Sequence, residues 1–440
     1  MPHTPHDLHP MSPPHRLSAP DVHALSMVFD FNTDDKDRLE LPQRLLFNDA
    51  KGIEIAWRPD EVLPALQRIE QAVQQDAWAA GYIAYEAAAG LDPSLAQAMR
   101  PPQGGTAHAN SQSTESEQPS QMPLLALALF AGPGSDELDG VGIPNISGAG
   151  AAASNTGTPA PPFADGLPAV HPCIPSSTLL TSIPQWQLAE SQAAYVEKVN
   201  RLRQAIAAGD LYQVNYTLRA DARVPAGFSP WLYYEALRQR QQCRYGAFLN
   251  LGSHHILSLS PELFFDWHCG SGTITTRPMK GTAPRSATPQ ADAAQAATLQ
   301  NSAKERAENV MIVDLLRNDL GRIAQTGSVH VPQLLHTEPY PTLWQMTSTV
   351  QATTRPGTTF TQVLQALFPC GSITGAPKHM AMQKIAAAEA EPRGVYCGAV
   401  GFFHKDRALF NVAIRTITHT PAPNGGGHLR CGTGGGITWP

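Results

Sequence analysis

An α+β fold is what this sequence predicts, and three observations predict it. Strand-like apolar runs and helical periodicities are interleaved without regular strand-helix-strand alternation, so a doubly wound parallel sheet is not the natural reading. At 440 residues the chain exceeds one small core, and has the length for two domains or for one large domain with a deep cleft. The longest apolar run, Leu124 to Ala131, is far too short to span a bilayer.

The elements follow in order. Residues 1–25 read as a disordered tail: His3, His6, His9 and His15 lie among prolines, which deny them a helical face for metal, and the segment lacks the basic start and apolar stretch of a secretory signal. Residues 26–131 form an N-terminal region in which Met27 to Phe31, Arg44 to Phe47 and Ile53 to Trp57 read as strands. Glu61 to Gln75 reads as an amphipathic helix, with Leu63, Leu66, Ile69 and Val73 at helical spacing. Gly, Ser, Gln and Pro dominate a flexible insertion at 101–120, and Met122 to Phe130 reads as one more strand. A second flexible linker covers 132–184. The dense region 185–440 opens with a helix, Glu190 to Ala208, that Gly209 closes. Strands follow at Tyr212 to Ala220, Tyr245 to Leu251, His255 to Leu259 and Leu263 to Trp267.

Charge and cysteine usage narrow the partners. With 37 acidic and 31 basic residues, a net charge of -6 and no long Lys or Arg block, the chain lacks the footprint of a nucleic-acid binder. Six scattered cysteines without a C-x-x-C pair argue against a zinc ribbon or a disulfide framework, and read as free thiols of a soluble cytoplasmic protein.

Four segments concentrate reactive side chains. In S-L-S-P-E-L-F-F, Glu262 is either exposed at a turn after Pro261 or held in apolar surroundings as a proton donor with a raised pKa. In T-R-P-M-K-G-T-A-P-R, Lys280 is framed by prolines and followed by Gly281; it is either a solvated lysine or an amine fixed for nucleophilic attack. Asn301 to Ile323 reads as one helix, with Glu305 and Glu308 on the apolar stripe of Ile312 and Leu315. Two carboxylates there suit a hard cation such as Mg2+, or a face salt-bridged by Lys304 or Arg306. F-P-C-G-S-I-T-G-A-P-K looks superficially like a phosphate loop, but Pro377 precedes Lys378 and no Ser or Thr follows it; its backbone N–H groups can still meet an anion such as a carboxylate. Arg415, within the strand-like Phe410 to Ile417, and the run Gly434, Gly435, Gly436 could add a carboxylate clamp and close backbone contacts.

The wording and order of these segments resemble the chorismate-binding enzyme family. The matching pieces are D-L-Y-Q-V-N-Y from Asp210, S-P-E-L-F, P-M-K-G-T, K-E-R-A-E-N-V-M-I-V-D-L-L-R-N-D-L, G-S-I-T-G-A-P-K, R-G-V-Y-C-G-A-V-G, N-V-A-I-R-T-I and G-G-G-I. The resemblance implies two large, mainly antiparallel β-sheets packed face to face with helices outside, and an active site between them that takes chorismate and Mg2+. Carried over by position, it implies Glu262 as the general acid and Glu308, helped by Glu305, as a metal ligand. Gly281, Thr282, Thr374, Gly375, Tyr396, Arg415, Gly434 and Gly435 fall among its substrate-binding positions.

Within that family, water-adding members carry a lysine base where Gln213 stands, which makes Gln213 the expected ammonia site. Members that place the amino group ortho carry a small residue where Lys280 stands, so the implied activity is amination at C4 through a covalent lysine adduct. No glutaminase triad is evident, and the resemblance implies a separate glutamine amidotransferase partner. The alternatives are ortho amination with loss of pyruvate, or a non-catalytic partner-binding subunit. Gln345 stands where many relatives have His, and relatives continue beyond the position of Pro440 with a second metal glutamate; weak Mg2+ affinity is the expectation for the sequence as given.

Overall fold

The computed structural model describes residues 21–31, 43–99, 122–134, 184–423 and 425–439. The expected insertion at 101–120, the tail up to residue 20 and nearly all of the linker at 132–184 lie outside the described residues.

The first part of the chain forms β1 (Ser26–Phe31), β2 (Arg44–Phe47), β3 (Gly52–Ala56), α1 (Pro59–Gln74), β4 (Trp78–Ile83), α2 (Ala88–Leu91), α3 (Pro93–Ala98) and β5 (Leu125–Phe130). After the undescribed stretch come β6 (Gln187–Leu188), α4 (Gln192–Ala207), β7 (Gln213–Val224), α5 (Pro230–Gln241), β8 (Tyr245–Asn250), β9 (His255–Ser260) and β10 (Leu263–His268). Next are β11 (Thr273–Arg277), β12 (Met279–Pro284), α6 (Pro289–Asn301), α7 (Ala303–Gly321), β13 (His330–Pro339), β14 (Leu343–Thr353) and α8 (Phe360–Leu367). The chain finishes with β15 (Gly375–Ala376), α9 (Lys378–Ala388), β16 (Ala399–Phe403), β17 (Arg407–Val412), β18 (Thr416–Pro421) and β19 (Gly427–Thr438).

These strands build two antiparallel sheets. The first runs β15-β7-β19-β18-β9-β8-β1-β2, with β6 beside β7; the second runs β12-β14-β11-β10-β17-β16-β4-β5-β3, with β13 beside β14. Strands from both ends of the sequence enter each sheet. The sheets face each other across a core of Met27, Phe29, Phe47, Leu249, Tyr82 and Phe402. Alternation along β1 explains the sorting: Met27 and Phe29 enter this core while Val28 points to the opposite face, beneath α5. Phe29 meets Phe402 edge-to-face at 5.7 Å between centroids, which ties the two sheets together. The free face of the second sheet is covered by α1, α7 and α8, where Leu66, Ile69, Ile312, Leu316, Val363 and Leu367 form a second core. The expected architecture of two facing sheets with helices outside is therefore the observed one. Among the described residues no helix is long and apolar enough to cross a membrane.

Two readings of local structure need correction. The helix expected over Asn301 to Ile323 is two helices: Ser302 is extended, with ψ 113°, and its side chain accepts from the Glu305 amide to start α7, while α6 ends at Asn301. Arg415 does not lie in a strand. It occupies the bend between β17 and β18 with φ 50°, because there the chain leaves the second sheet for the first.

Candidate active site

Two neighbouring crossovers between the sheets frame the site. One joins β9 to β10 through Pro261 and Glu262; the other joins β17 to β18 through Arg415. They are laced together by Val412 N–H donating to the Glu262 carbonyl at 3.0 Å and Leu259 N–H donating to the Arg415 carbonyl at 3.0 Å. Glu262 is only 3% exposed. The solvated-turn alternative is thus excluded by the crossover, which carries the residue inward between the sheets. Burial pushes its pKa up to about 7, partly offset by hydrogen bonding from the Ser372 side chain, by the nearby Lys280 charge and by the Met279 amide. Oε1 is buried and has no hydrogen-bond partner.

Lys280 and Gly281 fall where the register of β12 on β14 slips, between the pairs Met279↔Thr347 and Thr282↔Gln345. Such an irregularity re-aims side chains out of the regular pleat. The Lys280 amine donates to the Ser372 carbonyl at 2.8 Å. Gly281 has φ 90°, and a Cβ there would lie 3.0 Å from Glu305 Oε2 and 3.1 Å from Leu299 Cδ1, so any other residue would be strained in backbone and crowded by α6 and α7. Thr282 is exposed on the same strand.

The segment from Gly371 to Ala376 joins this wall to the first sheet. It begins as a short 3-10 turn at Ser372 and ends as β15, where Gly375 pairs with Val214 and Ala376 with Gln213. A side chain at Gly375 would sit 2.2 Å from the Gln213 carbonyl oxygen. Thr374 is fully buried; its hydroxyl donates to the carbonyls of Cys370 and Gly371, and its own carbonyl accepts from Asn215 N–H at 2.8 Å. Gln213 is also fully buried, yet neither its Oε1 nor its Nε2 has a partner. A buried primary amide left unsatisfied costs about 1–3 kcal/mol, and marks a place where a polar ligand would be welcome.

The glycine run of β19 lies alongside. Beyond Cys431 this strand pairs with β7 only, so Gly434, Gly435 and Gly436 are exposed at an open edge. A Cβ at Gly436 would lie 2.7 Å from Gln213 Nε2, and one at Gly434 would lie 2.3 Å from the Tyr216 carbonyl oxygen. Tyr396 is 9% exposed and its ring rests on Gly432, where a Cβ would come within 2.0 Å of it. Burial holds its phenol neutral.

A buried ion network braces this wall. Arg393 donates to the Ile373 carbonyl at 2.8 Å, the Asn215 carbonyl at 2.7 Å and Glu389 Oε1 at 2.8 Å. Glu389 also accepts from the amide and hydroxyl of Thr217. Arg393 stands inside a motif quoted above without a role; Glu389 is four residues away, but the carbonyls of Ile373 and Asn215 are 20 and 178 residues away and leave no local pattern. Ser372 was missed for the same reason. Lys378 pairs with Asp319 at 2.7 Å and with the Leu367 carbonyl, so it serves the fold rather than a phosphate.

Not every expected residue converges on Glu262 and Lys280. Arg415 is exposed, donates to Gln241 Oε1 at 3.1 Å and lines a small cleft of about 60 Å³ with Arg240, Pro261, Tyr340 and Gln345. That cleft adjoins the Lys280 wall through Gln345. Glu305 and Glu308 lie one turn apart on α7, and Lys304 Nζ is 3.6 Å and 3.5 Å from their respective Oε1 atoms. Among the described residues no group of three or more His, Cys, Asp or Glu is placed to hold a metal. The two carboxylates nonetheless form a hard oxygen donor pair whose counter-ion is a largely exposed, displaceable lysine, and they fit one side of a Mg2+ site.

Comparison with known proteins matches this arrangement to a family. The sequence profile of chorismate binding enzymes matches residues 43–440. Aminodeoxychorismate synthase component 1 of Salmonella typhimurium is 42% identical over 264 residues, 60% of this chain and 56% of that protein. Its Escherichia coli counterpart is 42% identical over 258 residues, 58% of this chain and 55% of that protein. The chain thus spans little more than half the length of these curated relatives. Among solved structures, anthranilate synthase component I from Streptococcus pneumoniae superposes with a TM-score of 0.63 at 22% identity, covering 99% of this chain and 91% of the other, a likeness of fold.

Proposed function

This chain belongs to the family of chorismate binding enzymes, and from that premise we propose that it aminates chorismate at C4 to give 4-amino-4-deoxychorismate. The observation that carries the proposal is the pairing of an amine and a buried acid: the Lys280 charge acts on the buried Glu262 carboxyl, whose pKa burial pushes up to about 7. In this reading the Lys280 amine bonds to C2, the two conjugated ring double bonds shift towards C4, and the C4 hydroxyl leaves as water with the proton of Glu262. Ammonia then bonds to C4 and expels the lysine from C2. Two displacements through a covalent adduct replace one difficult substitution.

Glu262 suits the acid role because a carboxyl with a pKa near the working pH is still partly protonated there, and its partnerless Oε1 is free to meet a leaving group. Gln213 suits the ammonia site because its amide offers both an acceptor and donors with nothing else to bind, and, unlike a lysine, it does not act as a base towards water. Thr374, Gly375, Tyr396, Gly434 and Gly435 line the wall against which the substrate would lie. Gly281 and Thr282 follow the nucleophile, and Arg415 would meet a carboxylate by turning from Gln241.

Glu305 and Glu308 would hold Mg2+, which when bound supplies positive charge to a substrate carboxylate. The relatives carry the designation component 1, and ammonia is mostly protonated at neutral pH. We therefore assign delivery of unprotonated ammonia to a glutamine amidotransferase partner. Product analysis with chorismate, Mg2+ and ammonium tests the whole reading: a product that a lyase converts to 4-aminobenzoate supports it, and fluorescent anthranilate refutes it.

A further inference from the structure

Ser260 is the last residue of β9, fully buried and two residues before Glu262. Its hydroxyl donates to the Val412 carbonyl at 2.6 Å and accepts from the Glu262 N–H at 3.2 Å. The Glu262 carbonyl, 3.3 Å away, is the more distant acceptor for its single proton. Val412 N–H in turn donates to that Glu262 carbonyl at 3.0 Å. In the ladder of β10 on β17, Glu262 and Val412 stand one step beyond the pair Leu263↔Asn411. Hydrogen-bonded antiparallel partners exchange two backbone bonds directly. Here one bond is direct and the other runs through the Ser260 hydroxyl. We infer that Ser260 is a positioning residue for the reaction: its hydroxyl, set as a link between Glu262 and Val412, fixes the peptide that carries the acid inward between the sheets. The inference deepens the proposed function and rests on it for the acid role of Glu262.

A serine suits this link because its hydroxyl both donates and accepts. Pro261 has no N–H, so Glu262 carries the first amide after the strand ends, and the hydroxyl reaches it across two residues. Without the hydroxyl, the Glu262 N–H and the Val412 carbonyl lose a shared partner inside the protein. Buried backbone groups left in that state draw in water or shift until they are paired. Water admitted to the crossover would also solvate the Glu262 carboxyl, whose pKa burial now pushes up to about 7. Ser258 offers a matched comparison: it is fully buried on the same strand, but its hydroxyl meets Thr416 Oγ1 at 3.0 Å and Asn411 Nδ2 at 3.3 Å.

The test is an infrared titration of the Glu262 carboxyl in ligand-free protein, with Glu262→Gln identifying the band. Ser260→Ala and Ser260→Gly each remove the hydroxyl, and both should lower the midpoint by about one pH unit, the scale of one hydrogen bond from admitted water to a carboxylate. Ser260→Thr keeps the hydroxyl and should stay within a few tenths of a unit of wild type. Ser258→Ala removes an equally buried hydroxyl from the same strand and should also titrate as wild type. Lys280 and Cys370, the other titratable groups that act on this carboxyl among the described residues, are unchanged in all four variants. A folded Ser260→Ala or Ser260→Gly protein titrating at the wild-type midpoint overturns the inference, as does a Ser260→Thr or Ser258→Ala protein displaced as far as Ser260→Ala. Because no substrate is present, this result is independent of the product assay that tests the function.

Discussion

Gln345 donates from Nε2 to the carbonyl of Gly281 at 2.8 Å, so a residue on β14 holds the backbone immediately after Lys280. The strand irregularity that aims the amine is thereby pinned from one side by Gln345 and roofed on the other by Glu305 and Leu299. Gly281→Ala would force a left-handed backbone on a residue with a Cβ and press that Cβ against Glu305 and Leu299. A loss of about 1–3 kcal/mol of stability is expected in urea unfolding, with chorismate turnover falling further than binding. Wild-type stability in this variant would show that the close pass beneath α7 imposes no constraint.

Glu262 makes the protein pH-sensitive in two ways. Its folded pKa of about 7 lies above the ordinary 4.5, so between these values the folded state holds a proton that the unfolded state has lost. Stability therefore falls as pH rises through this window, by about 3 kcal/mol from this one group. Glu262→Gln should be the more stable protein at pH 8 and lose that advantage by pH 4, as read by denaturant midpoints. An equal gap at both pH values would contradict the burial argument.

The same protonation sets the rate. Covalent adduct formation should decline above pH 7 with a one-proton limb in wild type. Glu262→Gln should bind chorismate with nearly unchanged affinity and form adduct at least about a hundredfold more slowly. Rapid-quench kinetics without ammonia separates binding from chemistry. A flat profile from pH 6 to 9 would remove Glu262 from the acid role.

Removing Arg393 strips three buried acceptors at once and, among the described residues, leaves Glu389 with only Arg219 as a counter-charge. Arg393→Ala is expected to cost about 3–5 kcal/mol and to weaken chorismate binding, because the Thr374 turn and β7 lose their brace. Chemical denaturation and calorimetry give the two numbers; a loss below about 1 kcal/mol would mean that the network is redundant.

Metal affinity offers a check on α7. With Mn2+ as a spectroscopic stand-in, Glu308→Gln should weaken binding by about tenfold or more, since it removes half of the paired negative charge. Lys304→Ala, which removes the competing ammonium, should tighten it. Unchanged affinity in both variants would take the metal site away from α7.

Much of the fold was legible because its strands are short apolar runs bounded by turns: Arg44 to Phe47 is β2 residue for residue, and of the expected stripe Leu63, Leu66, Ile69 and Val73 the last three are buried in α1, with Val62 buried at its start where Leu63 is only half-buried. What the sequence concealed are the places where the chain changes sheets. Phe410 to Ile417 reads as one strand because Phe410, Val412, Ile414, Thr416 and Ile417 favour strands and no Gly or Pro interrupts them, yet a crossover divides it at Arg415. Glu262 was ambiguous for the same reason, since burial at a crossover is a property of two sheets and not of eight residues. The boundary at Ser302 was missed because α6 and α7 are both good helix formers, and one extended serine between them carries little signal. Lys280, Glu262 and Gln213 were singled out by their motifs. The backbone contacts of Ser372 and Arg393 reach residues up to 178 positions away, and the one local partner, Glu389 four residues before Arg393, reads as an ordinary surface pair.

The most direct measurement is the intact mass of the protein after incubation with chorismate and Mg2+ in the absence of ammonia. Wild type is expected to gain the mass of one chorismate less one water, the shift is expected to map to Lys280, and Lys280→Ala is expected to remain unmodified. If wild type stays unmodified, or if Lys280→Ala aminates chorismate at the wild-type rate once ammonium is added, Lys280 is not the nucleophile.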